Sequence, residues 1–293
     1  MTLPGTATGP RQTDAATPAA PGPWRAVAAF QQGERHRRDG LPCQDYAAVR
    51  MVGDLLVGVA ADGAGSADRS RLGATLAVRS ILACLTDRLA DCLTPPAGTG
   101  CGAAGAPEAA SIRACFDAAL AAGLACVSGA ARARDAAAAD LACTVLALAA
   151  TPHWVAALQL GDGLIVVRHD GPAFELMFAP QLGEYVNETR FLTDPDGPAQ
   201  ARFRLSRRPP AFVCLATDGL APVSIDLRAR RPHGPFFAPI ESYLRAAPDA
   251  GAARQAAREF LRSGRLARRS DDDRSLLLAV RLDAGAGAAG GAP

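Results

Sequence analysis

Apolar positions along this chain change period twice. Residues 24–30 read as a first strand, and residues 31–44, which hold Glu34, Arg35, His36, Arg37 and Arg38 in succession, predict a polar loop. Tyr46–Val52 and Leu55–Ala61 are two apolar runs around Gly53-Asp54, the signature of a hairpin. Past Gly65-Ser66 the period lengthens. Leu72, Leu76, Val78, Ile81, Leu82, Leu85 and Leu89 form one stripe of a long helix that Ser66 or Ser70 could cap. A second helix is expected over residues 108–134, after a Pro/Gly/Ala-rich loop at 94–107. The period then shortens again. Strands are expected at 142–150, 154–160, 164–169, 174–178, 201–205 and 212–216, with tight turns at Thr151-Pro152, Gly161-Asp162-Gly163 and Asp170-Gly171. Residues 180–200 read as an irregular excursion and 222–251 as a mixed, Pro-rich segment, both expected to overhang a cleft. A helix at 252–262 and a strand at 275–282 complete the pattern. Strands, two adjacent long helices, a run of antiparallel strands, a helix and a strand make an α+β chain with two sheets packed together.

Composition narrows the class. The chain has 293 residues and is 49% hydrophobic, enough for a sizeable core in one domain closed by its two ends. Low-complexity Pro, Ala, Thr and Gly at 1–23, and Gly and Ala at 284–293, predict a disordered leader and tail around a domain at 24–283. A net charge of +2 gives no global field for nucleic acid, and all 31 basic residues are Arg. The eight Cys form no CxxC pair and no zinc-spaced cluster. With no apolar signal region at the start, and no stretch read as able to span a membrane, the chain is expected to be reduced and cytoplasmic, without membrane partners.

Candidate chemistry lies in four acidic signals at strand ends: Gln44-Asp45, Asp62-Gly63, Asp218-Gly219 and Asp271-Asp272-Asp273. A carboxylate followed by Gly can project while the backbone turns tightly beside it. Brought together, these ends would form an oxygen-rich nest for hard divalent cations such as Mg²⁺ or Mn²⁺. Two such ions can clamp a phosphoryl group. Asp62 is then the best shared ligand, with the Gly63 carbonyl beside it; Asp218 and Asp272 complete one shell, and Asp45 holds a water. Taken singly, Asp-Gly is also a common turn dipeptide, and three consecutive Asp often only solvate a loop.

The ordered set resembles the protein phosphatase 2C family of metal-dependent Ser/Thr phosphatases, in its divergent bacterial branch. The matching segments are Gly33-x-x-His36, Pro42-Cys43-Gln44-Asp45, Ala61-Asp62-Gly63-Ala64-Gly65-Ser66, Leu160-Gly161-Asp162-Gly163, Glu184 to Thr189, Ala216-Thr217-Asp218-Gly219-Leu220 and Asp272-Asp273-Arg274-Ser275-Leu276. The resemblance covers residues 24–283. It implies a four-layer α/β/β/α sandwich, two antiparallel sheets flanked by helices, with metals in a cleft at one end. It further implies that Asp62 bridges two Mn²⁺ or Mg²⁺ ions, that Asp218 and Asp272 bind one of them, and that a bridging hydroxide attacks phosphoserine or phosphothreonine with no phosphoenzyme. The implied partner is a phosphorylated protein, the target of a Ser/Thr kinase, in a signalling role.

Departures from the family pattern concentrate on one flank. Gln44 stands where many members have Glu, Ala64 where some have His, and Gly40 near the position of a phosphate-gripping Arg. Gln44 and Asp45 are expected to orient water. His36 is a candidate acid, with a structural role its alternative. Arg35, Arg37 and Arg38 are candidates to grip phosphate, with a solvated basic loop as the alternative reading. Asp162 is the candidate for a third metal, expected weak or absent because Pro222 replaces a second acidic ligand. These departures also motivate an alternative function: a low-activity or inactive phosphatase-like module that binds phosphoproteins.

Overall fold

The structure, a computed structural model, describes residues 23–94, 107–179, 189–226 and 228–282. In chain order the elements are β1 (Trp24–Gln31), α1 (Glu34–Arg38), β2 (Tyr46–Val52), β3 (Leu55–Ala61), α2 (Ser70–Leu93), α3 (Ala109–Arg132), β4 (Val145–Ala150), β5 (Val155–Leu160), β6 (Leu164–His169), β7 (Phe174–Leu176), β8 (Arg202–Ser206), β9 (Pro210–Ala216), α4 (Ala221–Ser224), β10 (Ile225–Asp226), β11 (Arg231–Pro232), α5 (Gly234–Ala246), α6 (Ala250–Leu261), α7 (Gly264–Ala267) and β12 (Arg274–Arg281). Short 3₁₀ turns lie at Ala138–Leu141, Gly197–Gln200 and Asp218–Leu220. The expected leader, except Pro23, and the expected tail fall outside the described residues.

Two five-stranded antiparallel sheets carry the fold, in the orders β1-β12-β9-β6-β7 and β2-β3-β4-β5-β8. Helices cover both outer faces, so the strands are buried on two sides and read as near-continuous apolar runs. Strand β3 shows the division. Leu55, Val57, Val59 and Ala61 pack with Val78, Ile81, Leu85, Ile112 and Phe116 of α2 and α3. Leu56 and Ala60, pointing the other way, meet Leu215 and Leu277 of the facing sheet. In β12, Leu276, Leu278 and Val280 face Phe237 and Leu244 of α5 and Ala253 and Ala257 of α6. The layers are therefore helices, sheet, sheet, helices, as the resemblance implied.

Several expectations change. The polar loop at 31–44 contains the five-residue helix α1. Neither Ser66 nor Ser70 caps α2: its cap is Arg69 without a side-chain bond, and Ser70 is the first helical residue, buried. The Pro-rich segment 222–251 does not hang over a cleft as a whole. It builds α5, whose Phe237 and Leu244 are core residues; Pro sits in the first turn of α5, where a missing N–H costs nothing. Helix α3, at 24 residues, is long and apolar enough by composition to cross a membrane, contrary to the reading that no stretch is. Its Ile112, Phe116, Ala119 and Leu120 are buried in the core formed with α2 and the sheet beneath.

Candidate active site

The acidic signals lie at one end of both sheets. Pairing of Tyr46 with Ala61 puts the start of β2 beside the end of β3. Pairing of Leu276 with Ala216 and of Gln31 with Arg274 does the same for β12, β9 and β1. A side-chain hydrogen bond ties the two ends together across the sandwich: Thr217 Oγ1, just past β9, donates to Asp45 Oδ2, just before β2, at 2.6 Å. The same hydroxyl accepts the Ser275 N–H at 2.8 Å. On the other side, Asp62 N–H bonds Thr144 Oγ1 at 3.0 Å, and Thr144 N–H bonds the Asp62 carbonyl at 2.8 Å, which pins the chain as it leaves β3.

Two glycines let the backbones meet. A Cβ on Gly33 would overlap the backbone of Asp271 and Asp272, and one on Gly219 would overlap the Asp273 carbonyl oxygen. The Asp run is thus wedged between the start of α1 and the turn after β9. Its middle and last members then part company. Asp273 is buried and accepts from Gly33 N at 2.6 Å and Gln44 N at 2.5 Å, and pairs with His36 Nδ1 at 2.9 Å. Asp272 is part-exposed and meets Arg35 Nη2 at 3.1 Å.

Asp45, Asp62, Asp218 and Asp272 consequently face one another, and their electrostatics show it. Burial, then the charges of Asp273 and Asp218, push Asp45 up to about 8 against the pull of hydrogen bonds with Asp62 and Thr217. Burial, then the charges of Asp45 and Asp218, raise Asp62 well above the ordinary range. Asp218 rises to about 6, through burial and then Asp162 and Asp272. Like charges at this density without a cation hold protons. Among the described residues no group of three or more His, Cys, Asp or Glu stands in metal-holding geometry. The donor set nevertheless suits a hard divalent cation. It is all oxygen, and Asp45 Oδ1 and Gln44 Oε1 are buried acceptors without a hydrogen-bond donor among the described residues.

The remaining candidates separate by position. His36 is 4% exposed and engaged with Asp273. Of the three candidate arginines, Arg35 reaches Asp272, and its Nη2 is the first atom a side chain on Gly65 would meet. Arg37 pairs with Glu34 and Arg38 with Asp39, both exposed. Asp162 is exposed and accepts from Thr189 Oγ1 at 2.8 Å, while Pro222 lies in α4. Gly63 bridges to Cys143, so the Asp62 turn is held as a short extension of the sheet. Residues 184–188 of the motif around Asn187 lie outside the described residues.

Three site residues escaped the sequence reading: Thr217 and Asp273 as clamps, and Arg274. Thr217 stood in the sequence as the residue before Asp218, but a hydroxyl's reach across the sandwich has no local signal. Arg274 is 2% exposed, and its Nε and Nη1 have no hydrogen-bond partner among the described residues. Burial lowers its pKa, against the charges of Asp273, Asp272 and Asp45.

With fold and site in view, comparison with known proteins gives the class. Residues 32–262 match the model of the protein phosphatase 2C family, and the chain belongs to that family. Serine/threonine-protein phosphatase 3 of Escherichia coli (strain K12) is 30% identical over 264 residues, covering 88% of this chain and 98% of that protein. The solved S. agalactiae serine/threonine phosphatase superposes with a TM-score of 0.58 at 13% identity, over 88% of this chain and 99% of its own. The catalytic domain of the serine threonine protein phosphatase PstP, solved in complex with two manganese ions, gives 0.53 at 15% identity, over 89% and 99%. At these identities the structural matches speak for the fold.

Proposed function

We propose that the chain hydrolyses phosphoserine and phosphothreonine in proteins and uses two Mn²⁺ or Mg²⁺ ions held at the sheet ends. The observation that carries this reading is the meeting of Asp45, Asp62, Asp218 and Asp272 from separate strand ends, with buried oxygens left free of donors. Asp62 and the Gly63 carbonyl, with Asp218 and Asp272, would hold the ions; a protein of the same fold, the PstP catalytic domain, was solved with two manganese ions. When bound, the ions supply an activated water and neutralise phosphate charge.

The chain's own residues do the rest. Asp45, fixed by Thr217, and Gln44, fixed by its N–H on Asp273, orient water at the buried end. Arg35 receives phosphate oxygens, since it stands between Asp272 and Gly65 and is free to exchange a part-exposed carboxylate for a phosphate. It supplies the guanidinium that Gly40 cannot, which removes one ground for the non-turnover module. His36 and Asp273 act as a clamp that seats α1 and the Gln44 segment, so His36 positions and does not protonate the leaving group. Asp162 is left for a weak outer site.

Turnover of a phosphothreonine peptide by the metal-stripped and the manganese-restored protein tests the reading. Activity is expected only after manganese is returned; undiminished hydrolysis in EDTA would overturn it.

A further inference from the structure

On the helix-covered face of the sheet β1-β12-β9-β6-β7 lies a cavity of about 790 Å³ that none of the catalytic carboxylates lines. Its floor is Val27, Leu276 and Leu278 of the sheet. One wall is α5, through Phe236, Ile240 and Leu244; the other is α6, through Ala253, Ala256 and Ala257. The void has a sequence cause. Phe236 and Phe260 touch, ring centres 5.7 Å apart, and hold the two helices at aromatic spacing. The alanines of α6 then leave the space between unfilled. Its size lies in the range of small-ligand sites.

The rim has a sign. Arg265 and Arg269 line the cavity and are exposed, and neither guanidinium has a partner among the described residues. The one carboxylate on the rim among the described residues, Asp226, is already used: its Oδ1 accepts the N–H groups of Arg228 and Ala229. His233 also lies there, close enough to Asp226 to act on its charge. An apolar chamber beneath two uncommitted guanidinium groups matches one ligand chemistry, an apolar body with a single anionic head.

We propose that this chamber is a binding site for a small anionic amphiphile, separate from the phosphatase site. It touches that site mechanically through α4, whose Pro222 and Val223 line the wall one turn after Asp218. The proposal does not depend on the reaction inferred above.

A matched pair of dyes tests it on the full chain. 8-Anilinonaphthalene-1-sulfonate carries the anionic head; N-phenyl-1-naphthylamine is its neutral counterpart. One sulfonate per chain is expected in calorimetric titration. Ala256→Phe, which fills the chamber, should weaken both dyes by about tenfold or more. Arg265→Glu with Arg269→Glu, exposed substitutions that leave the core intact, should weaken the sulfonate by about tenfold and leave the neutral dye unchanged. Near-ultraviolet circular dichroism checks that each variant is folded. Unchanged sulfonate affinity in either folded variant, or binding of several dyes per chain, would overturn the assignment.

Discussion

Buried carboxylates receive opposite treatment at two places in this molecule. Glu241 of α5, on the outer face of one sheet, meets Arg168 Nε at 2.7 Å and Arg245 Nη2 at 2.8 Å. Both arginines are themselves anchored, Arg168 on the carbonyls of His169 and Gly171 and Arg245 on those of Arg281 and Ala211. Burial alone would raise Glu241, yet the bonds from Arg168 and Arg245 prevail and hold it below its ordinary value. At the sheet ends the same chemical group is left facing its own kind, with an Arg35–Asp272 salt bridge at its edge. A chain with 31 arginines had the means to neutralise both regions. It fills one with its own cations and leaves the other charged with its own kind, and on the proposed function this contrast separates a structural ion pair from a metal site.

The largest effect should come from breaking the open region. Asp62→Asn or Asp218→Asn is expected to lower manganese-dependent turnover by about 10³-fold or more, while the metal-free protein melts no lower than wild type because a like charge has been removed. A clear drop in metal-free melting temperature would mean that these carboxylates hold the fold, as Glu241 does. The closed region should respond the other way. Glu241→Gln leaves Arg168 short of its counter-ion and is expected to cost about 2–4 kcal/mol in urea unfolding with turnover unchanged.

Acid and base sharpen the same contrast. Metal-free, Asp45 at about 8 and Asp218 at about 6 bind protons more tightly folded than unfolded, as Asp62 also does. Folding then takes up protons, so this cluster's contribution falls as pH rises from about 4 to about 8. Glu241 runs oppositely: its contribution is present above the ordinary value of 4.5 and lost as pH falls below it. Melting temperature in EDTA should therefore peak near about pH 5 and decline by roughly 5 °C toward pH 8, with manganese cancelling the decline. A steady rise over that range in EDTA would contradict the proton-holding cluster. The smallest effect separates the arginines. Arg35→Ala should raise KM for a phosphopeptide about tenfold, and Arg38→Ala by less than about twofold. Equal effects would assign the phosphate to a diffuse basic surface instead.

Much of this was legible before any coordinates. The strands were visible because helices cover both outer faces, so runs such as Leu55–Ala61 are apolar at every position. The strand-end carboxylates were visible because each sits where an apolar run stops or starts. What stayed hidden was decided by contacts far apart in sequence. Whether Asp272 or Asp273 turns outward depends on Gly33, about which the Asp run says nothing. Helix α1 is too short and too charged to show a period, and the prolines of α5 masked a helix that the aromatic cluster of Phe236 and Phe237 stabilises. Arg274, fully enclosed at the mouth of β12, resembles any surface arginine when read as a letter.

The pairing of β1 with β12 has a consequence in time. Gly33 and Asp273 are 240 residues apart, and the bond between them closes the site. Closing a loop of that span is entropically costly, and β12 lies between β1 and β9 in its sheet, so this corner is complete only once the last strand has been made. While the chain is being synthesised it has no seat for Asp272, and a product cut short before β12 lacks part of the carboxylate set. On the proposed function such a fragment would not strip phosphate from its neighbours: the order of synthesis itself would keep the unfinished enzyme silent.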